Sequence, residues 1–401
     1  MMRFWPFGKR EEPRSMTIEE AYALLGAANT NSGEVVNPST AESLPAVMNA
    51  VTAISEAVAT MPCYLYSMKG GVKQRIDGAA VSNLVDYQPN DWQTPFQFKR
   101  SIMRQCLLTG NAYAVIEWGR NGQPKALIPV PSRSVVLRRS KARQFAYDVT
   151  WPDGTMKTYL PGEVFHMRHM SDDGWLGRSP ITVCREAVGL GLAQQRHGGA
   201  MMQNGMMASG VITSPVWFDE AKGKKALENL ERYKGAKNAG KTPILEGGMK
   251  FENLGMSNQD AEWIASRTFT IGDIARIFNI SPIFLQDYSH SNYNNFTEAT
   301  RAFLTQTLRP WLTNFEQQLK KSLFLSNAEL FEFDTYDLLR ANPKERYESY
   351  GVAIKSGFMN PNEARAREGM SPYAGGEEFS QAWKQVSDKN EEEKKDNGET
   401  K

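Results

Sequence analysis

The stretch SNQDAEWIASRTFTIGDIARIFNISPIFLQDYSHSNYNNFTEATRAFLTQTLRPWLTNFEQQL, residues 257–319, decides the fold. Its apolar positions recur at helical spacing, which predicts one helix over 258–279 and another from 297 to about 324. Ser281-Pro282 ends the first helix, because a residue that precedes proline disfavours helical backbone angles. Pro310 lies inside the second helix and should kink it. The two helices are therefore joined by a loop of polar residues.

The residues before position 180 predict a mixture of helices and antiparallel strands. Asn121-Gly122 and Asp153-Gly154 are hairpin signals, each between two strand-like segments. Helices are predicted over 17–27, over 44–60 and from Thr94-Pro95 to a C-cap at Gly110, and strands over 112–118, 125–130, 146–151 and 156–160. This half of the chain is predicted to be an α+β body with an antiparallel sheet.

After Pro180 the character of the sequence changes. Residues 180–204 predict a helix in which Gly189, Gly191 and Ala193 would allow close approach of neighbouring helices. The rest of the predicted order is a small β-α-β unit over 208–255 (GVITSP, a basic helix, PILEGG), the helix–loop–helix stretch, a strand over 329–334, helices over 343–356 and 361–368, and a disordered tail over 387–401.

Composition excludes several classes of protein. Apolar residues make up 41% of the 401 residues, but no run is long enough for a membrane span, and the charged N-terminus lacks an apolar signal core. A soluble protein of the cytoplasm is expected. The net charge of +2 argues against tight binding of nucleic acid, although it is compatible with a conduit through which DNA must slide.

Cysteine and histidine patterns predict no metal site and no cofactor. The cysteines are odd in number and far apart, which is typical of buried free thiols, and the histidines do not join them at metal-ligand spacing. These residues are Cys63, Cys106, Cys184, His166, His169, His197 and His290. No nucleophile or paired carboxylate stands in a recognisable catalytic context, so no enzyme is predicted.

One motif suggests an enzyme and has to be weighed. Gly235–Thr242, GAKNAGKT, satisfies the pattern of a phosphate-binding P-loop. A working P-loop leaves a strand and opens a helix, so that its amides face the phosphates. Here a predicted helix over 219–233 precedes the loop and the apolar residues 243–245 follow as a strand. The order is reversed, which favours a basic helix-to-strand turn, with a nucleotide-binding protein as the alternative.

Six segments, taken in order, resemble the large portal protein family of tailed double-stranded DNA phages. They are TGNAYAVIEW (109–118), GEVFHMRHMSDDGWLGRSPI (162–181), NAGKTPILEGG (238–248), SNQDAEWIASRTFTIGDIARIFNISPIFL (257–285), NNFTEATRAFLTQTLRPWLTNFEQQL (294–319) and NPNEARAREGMSP (360–372). None of them is specific alone. Together, in this order and at this spacing over about two-thirds of the chain, they are.

The resemblance implies a portal fold assembled as a cyclic ring. The parts would be an N-terminal arm (1–29), an α/β wing (30–179), a stem helix (180–207), a clip (208–256), a second stem helix (257–280), a channel loop (281–296), a kinked helix with a returning wing strand (297–340), a helical crown (341–386) and a disordered tail (387–401). The ring, usually of twelve copies, would stand at one capsid vertex of the virion after assembly in the host cytoplasm. Its partners would be double-stranded DNA, the terminase large subunit, major capsid and scaffold protein, and head-completion or connector proteins. ATP hydrolysis would belong to the terminase.

The resemblance also places candidate contacts with DNA. Short polar side chains of the channel loop suit weak contact with passing phosphates, with an ordinary surface turn as the alternative: Ser289, His290, Ser291, Asn292, Tyr293, Asn294 and Asn295. The clip carries a basic patch, net +5 over residues 221–242, which would face DNA or the motor unless it is a solvated helix face: Lys222, Lys224, Lys225, Arg232, Lys234, Lys237 and Lys241.

Two questions stay open at the level of sequence. Trp263, Phe269, Trp311 and Phe315 sit at helical spacings, but aromatic side chains are more often core than interface, so the subunit contacts are not assigned. A structural capsid or tail adaptor without a DNA channel is the other alternative function. An assembly with no central hole would favour it.

Overall fold

The computed structural model describes part of the chain, in two compact units, Met1–Asp334 and Thr335–Lys401. The described residues are 28–139, 145–203, 210–213, 215, 221, 223–225, 228, 250–253, 270–288, 293–335 and 343–380. No helix among them is long and apolar enough to span a lipid bilayer. The helix predicted over 17–27 and the tail over 387–401 lie outside this range.

In its described residues the first unit consists of short helices and five small antiparallel sheets. Up to residue 203 its elements are β1 (Ala28–Asn29), β2 (Val35–Val36), α1 (Pro38–Ala41), α2 (Pro45–Thr60), β3 (Cys63–Lys69), β4 (Val72–Arg75), α3 (Ala80–Asp86), α4 (Pro95–Thr109), β5 (Asn111–Trp118), β6 (Pro124–Val130), β7 (Val135–Arg139), β8 (Phe145–Thr150), β9 (Met156–Tyr159), β10 (Val164–Arg168), α5 (Pro180–Val183) and α6 (Arg185–Gln203).

The remaining described elements complete both units. They are β11 (Gly210–Thr213), β12 (Lys250–Asn253), a helical segment over 270–277, a 3₁₀ helix (Pro282–Leu285), α7 (Tyr293–Ala302), a π-helical segment (Phe303–Leu308), α8 (Arg309–Ser322), β13 (Glu329–Phe333), and in the second unit α9 (Pro343–Lys355) and α10 (Pro361–Arg367). The sheet orders are β1-β2, β10-β5-β6, β11-β12, β13-β3-β4 and β7-β8-β9.

Both predicted hairpins are confirmed. β5 pairs with β6 and β8 with β9, and the turn glycines Gly122 and Gly154 have φ of 76° and 82°. These left-handed angles are ones that a residue without Cβ adopts without strain. The hairpins place Tyr113, Tyr147 and Val149 in one buried apolar cluster. The α+β body expected before residue 180 is therefore present.

Helices α2 and α4 pack together and form much of the core. The predicted inner face of α2 is buried, including Val51 and Ile54. At the start of α4, Thr94 and Gln97 form a capping box, and Gly110 ends the helix with φ 75°, as predicted. Each end of α4 is therefore fixed by local hydrogen bonds, and the residue types at both ends predict them.

The predicted strand near residue 330 returns to the first part of the chain. It is β13, which pairs with β3 so that Phe331 lies opposite Leu65. The free edge of β13 is partly covered, because the Glu316 carboxylate accepts a hydrogen bond from the Phe333 amide at 2.9 Å. Trp311 and Phe315 of α8 are buried. Trp263 and Phe269 lie outside the described residues.

Two helix predictions were wrong in detail. The helix expected over 180–204 is interrupted at Cys184, where φ is −103° and ψ is 30°. The β-branched run 181–183 before it is a poor helix former. The helix expected from 297 to 324 starts at Tyr293 and ends at Ser322, with a π-helical segment inside it. The helix expected over 258–279 is described from residue 270 onward.

The predicted β-α-β unit is described only in part. GVIT forms β11 as expected, but its described partner is β12, Lys250–Asn253, in antiparallel pairing. The expected second strand, over 243–248, lies outside the described residues, as does Gly235–Thr242. Isolated helical residues between 221 and 228 agree with a helix after β11.

The second unit contains the two short helices that were predicted. Asn360 caps α10 through its side chain, with Glu363 completing the capping box. The Glu368 carboxylate accepts hydrogen bonds from Arg346 Nη2 at 2.9 Å and from Tyr350 Oη at 3.0 Å. The buried apolar residues packed together here are Tyr350, Met359 and Ala364.

The three thiols follow the prediction for free cysteines with one exception. Cys63 and Cys106 are buried and free, and burial raises the pKa of both thiols. Cys184 is also free, but it is only half-buried, because it lies at the break between α5 and α6.

Candidate channel elements

The polar segment predicted as a channel loop is shorter than expected. Tyr293, Asn294 and Asn295 form the first turn of α7, and the 3₁₀ helix occupies 282–285. The predicted channel loop, residues 281–296, therefore includes helical residues at both ends, and its assignment as a channel loop stays a prediction. The remaining candidates, Ser289, His290, Ser291 and Asn292, lie outside the described residues. What the structure shows is how both sides of this segment are fixed.

Asn279 joins the segment before the loop to the helix after it. Its φ of 51° is left-handed, a conformation that asparagine tolerates better than most residues. Its side-chain Nδ2 donates to the Gln306 carbonyl at 3.1 Å, and its own carbonyl accepts from Thr307 Oγ1. Gln306 stands four residues before Pro310, which has no N–H to offer that carbonyl. Asn279 therefore supplies the donor that the proline lacks.

A second contact lies beside this one. The rings of Phe284 and Phe303 are stacked, with centroids 4.4 Å apart. Leu285 is buried, and Gln286 then turns the chain with φ 62°. We call Asn279, Gln306, Thr307 and the Phe284–Phe303 pair the loop anchor. Its contacts join the residues before the polar segment to the residues after it and do not involve the segment itself.

The loop anchor borders an open groove of about 350 Å³. Small residues and amides form most of its wall, and it carries one guanidinium, Arg276, which is paired with Asp273 at 2.7 Å. The groove holds no arrangement of nucleophile and base among its described residues. Its chemistry suits packing and hydrogen bonding.

The start of the predicted stem is fastened to the sheet by backbone contact. Gly110 and Gly177 approach so closely that a Cβ on Gly177 would lie 2.0 Å from the Gly110 carbonyl oxygen. Ser179 Oγ donates to the Leu108 carbonyl at 2.6 Å and also caps α5. The residues that lead into α5 and α6 therefore have one position relative to α4.

A buried polar network holds the same region from the other side. Asn111 Nδ2 donates to the Gly177 carbonyl at 2.9 Å, and Asn111 Oδ1 accepts from the Gly177 amide at 2.8 Å. Asn111 Oδ1 also contacts His166 Nε2 at 3.0 Å. His166 Nδ1 lies 3.0 Å from Tyr147 Oη, which accepts from Arg168 Nη2 at 3.2 Å. One side chain, Asn111, thus links strand β10 to Gly177, which lies just before α5.

The protonation of His166 follows from these contacts. The Asn111 oxygen can only accept, so His166 carries its proton on Nε2 and accepts from Tyr147 at Nδ1. The imidazole is 1% exposed, and burial first, then the charges of Arg168 and Lys321, lower its pKa to about 2. His166 is therefore a neutral member of the network. It is not poised for acid–base chemistry.

The N-terminal hairpin β1–β2 contacts the small residues of α6. A Cβ on Gly189 would lie 2.6 Å from the Thr30 side chain, and one on Gly191 would lie 2.9 Å from Thr270. The close approach to a neighbouring helix that was expected is therefore observed at Gly191, which faces the helical segment over 270–277, whereas Gly189 faces the β1–β2 hairpin. The nearly buried Glu34 carboxylate also pairs with Arg196 at 2.7 Å.

The predicted basic patch is described at only two positions. Lys224 and Lys225 are exposed, as is the acidic Glu228 near them. The other members, Lys222, Arg232, Lys234, Lys237 and Lys241, lie outside the described residues. In the part of the chain that is described, no cluster of three His, Cys, Asp or Glu side chains could hold a metal ion.

Comparison with known proteins decides what these elements belong to. The family model described as phage portal protein matches residues 45–369. A relative described as a probable portal protein of Streptomyces phage phiC31 is 30% identical over 94% of this chain and 87% of its own length. The chain belongs to the phage portal protein family. A portal protein is a structural component of the virion, so the expected fold class, function and localisation are confirmed.

Other relatives agree with the portal family. The portal protein of Enterobacteria phage HK97 is 25% identical over 89% of this chain and 84% of its own length. Two solved structures share the fold. An HK97 family phage portal protein from Corynebacterium diphtheriae has a TM-score of 0.59 at 18% identity and covers 79% of this chain and 99% of its own. The neck of a native gene transfer agent particle, computed with C12 symmetry, has a TM-score of 0.56 at 23% identity and covers 88% and 100%.

Neither alternative function gains support from the portal matches. Nothing in them favours a nucleotide-binding protein that uses Gly235–Thr242, or an adaptor without a channel. The structural residues that sequence reasoning missed are Asn111, His166, Asn279 and Thr307. Asn111 and Asn279 each stand two residues beyond the last helical residue, and a polar amide at such a place is the signal that could have pointed to two of them.

Proposed function

We propose that this portal protein assembles as a closed ring of twelve copies at one capsid vertex and that double-stranded DNA passes through the ring during packaging and ejection. The observation that carries the proposal is the portal family match over 45–369, together with a shared fold in a neck computed with C12 symmetry. A closed ring needs head-to-tail contacts whose rotation closes. Terminase large subunit, capsid and scaffold protein, and connector proteins are its proposed partners.

The experiment for the ring combines imaging with mass. Purified full-length protein, alone and co-expressed with its scaffold or capsid protein, is imaged by negative-stain electron microscopy, and native mass gives the copy number. A ring of twelve with an axial hole wide enough for a DNA duplex is the expected result. A closed oligomer without a hole, under both conditions, would refute the proposal.

Within the ring, the polar segment 289–295 is proposed to face the DNA. The loop anchor supports this role, because it fixes both flanks of a short segment whose side chains are uncharged apart from His290. Short polar groups make weak contacts with phosphates and carry no sequence information. We expect Ser291→Glu with Asn292→Glu to lower the DNA content per particle through repulsion, while Ser32→Glu with Asn83→Glu, two exposed wing positions, leaves it unchanged.

The clip lysines are proposed to contact DNA or the packaging motor. The exposed described members, Lys224 and Lys225, agree with an outward-facing patch. Neutralising Lys237 and Lys241 to Gln should reduce the DNA packaged per particle, since cations near the passage attract phosphate. The matched control neutralises Lys125 and Lys157, two exposed wing lysines. Equal packaging by the two double variants would remove this role.

ATP hydrolysis is assigned to the terminase, and this chain has no catalytic step.

A further inference from the structure

Two large aromatic side chains are exposed at one turn of the first unit. Tyr87 is 78% exposed and Trp92 is 63% exposed, at the two ends of the turn between α3 and α4. Exposed aromatic side chains carry much of the binding energy where proteins dock. A single exposed ring is ordinary, but two within six residues single out this turn for a closer reading.

The turn is rigid before anything binds to it. Asn90 is 3% exposed, and its Oδ1 accepts from the amides of Trp92 at 3.2 Å and Gln93 at 2.9 Å. Its Nδ2 donates to the Leu127 carbonyl at 2.8 Å, while the Leu127 amide donates to the Pro89 carbonyl at 2.7 Å. Strand β6 therefore holds the turn in place. A preorganised surface of this kind loses little conformational entropy when it docks.

The charge at the turn is negative and lacks a matched cation. Asp91 is exposed, and no ion pair to it is present among the described residues. Asp86, just before the turn, has only a long contact of 3.7 Å with Arg75. Rings with a carboxylate beside them attract a cation by two routes, over the ring face and by ion pairing.

The same protein shows what such a set of side chains takes. Arg75 Cζ lies 3.6 Å from the ring centroid of Tyr64 while its Nε lies 2.6 Å from Asp77 Oδ1. Two further sets combine a cation with a tyrosine and a carboxylate: Lys73 with Tyr66 and Glu332, and Arg346 with Tyr347 and Glu368. The turn between α3 and α4 has the rings, Tyr87 and Trp92, and the carboxylate, Asp91, of such a set. A partner that binds there would supply the cation.

We propose that the aromatic turn, Tyr87, Asp91 and Trp92, is a docking site for the N-terminal segment Met1–Arg10 of this protein. The segment, MMRFWPFGKR, carries three basic residues and no acidic one, together with three aromatic rings. It therefore brings both the cations and the apolar surface that the turn lacks. Charge complementarity selects this segment over the acidic tail at 391–393, Glu-Glu-Glu.

The length of chain between the two is sufficient. Seventeen residues lie between Arg10 and Ala28, where the described chain begins, and an extended chain of that length spans about 60 Å. A compact domain of about 300 residues has a radius of gyration of about 19 Å. The segment can therefore reach the turn on its own copy or on a neighbouring copy in a ring.

The test is a site-specific cross-link in the full-length protein. Tyr87→p-benzoylphenylalanine keeps an exposed ring at the turn, and irradiation followed by peptide mass spectrometry locates its partner. The major cross-link is expected within residues 1–16. Charge reversal of Arg3, Lys9 and Arg10 to Glu should lower its yield at least fivefold, with the thermal unfolding temperature unchanged.

A control position makes the result decisive. Phe358, in the second unit, is 86% exposed and is not part of the turn between α3 and α4. The photoreactive residue placed there should give no major cross-link to residues 1–16. Cross-links from position 87 that map elsewhere, or a yield that charge reversal does not change, would overturn the proposal.

Discussion

Replacing Asn111 by Ala should loosen the approach to the stem while the rest of the fold persists. The change removes three long-range hydrogen bonds, two with the backbone of Gly177 and one with His166 Nε2, and also a local one of 3.3 Å to the Thr109 carbonyl. A buried hydrogen bond contributes about 1 kcal/mol net, so the loss of the three bonds to Gly177 and His166 costs about 3 kcal/mol. Leaving their partners unpaired does not lower this cost. Because the residues before α5 depend on these contacts, the effect should be concentrated at 169–179.

Hydrogen exchange followed by mass spectrometry measures this loss where it occurs. Exchange of backbone amides reports the local opening of one segment separately from the unfolding of the rest of the chain. Peptides that cover 169–179 should exchange about 100-fold faster in Asn111→Ala, because 1.4 kcal/mol corresponds to a factor of ten in the opening equilibrium. Peptides from α2 should be unchanged.

The control is Asn83→Ala, an exposed asparagine on α3. It makes the same chemical change away from any buried network and should alter exchange by less than a factor of about three. If Asn111→Ala exchanges at 169–179 like the wild type, the amide of Asn111 does not hold this segment, and the assignment of the network is wrong.

Three further predictions concern other buried groups. Because the pKa of His166 is lowered to about 2, its imidazole stays neutral in the folded state, while in the unfolded chain it takes up a proton as the pH falls through 6.5. This one group should therefore lower the stability to urea by about 1.6 kcal/mol between pH 6.5 and 5, and His166→Gln should remove that contribution. Gly110→Ala should cost at least about 2 kcal/mol more than Gly122→Ala in thermal unfolding, since both glycines have left-handed φ but only at Gly110 would a Cβ meet backbone, 2.3 Å from Arg178. Thr307→Val keeps the helix shape but removes the donor to the Asn279 carbonyl; a loss of about 1 kcal/mol should appear as faster hydrogen exchange at 279–286, and unchanged exchange would show that this bond does not hold the loop anchor.

Features set by neighbouring residues were predictable from the sequence. The hairpins at Gly122 and Gly154 and the C-cap at Gly110 depend on backbone angles that glycine adopts locally. Helix α2 was predicted because its buried face repeats at helical spacing. In these cases the cause and the effect lie within one turn or one helix.

Features set by distant residues were not predictable. Strand β3 pairs with β13, some 260 residues later, so its own sequence shows only half of the reason for it. Asn111 and Gly177 meet across 66 residues, and Asn279 meets Gln306 across 27. A polar side chain that serves a distant backbone group leaves no local pattern. The loop anchor and the polar network of Asn111 and His166 could therefore be found only in the structure.

The π-helical segment at Phe303–Leu308 changes the direction in which the side chains of one continuous helix point. A wider turn takes up extra chain and rotates every later side chain about the helix axis relative to those before it. The residues before it can face the groove beside the loop anchor, while Trp311 and Phe315 face the sheet. One helix can therefore pack against both the groove and the sheet, which lie on different sides of it. Deleting a single residue there would put one of the two faces out of register, so this part of the chain tolerates substitution more easily than a change of length.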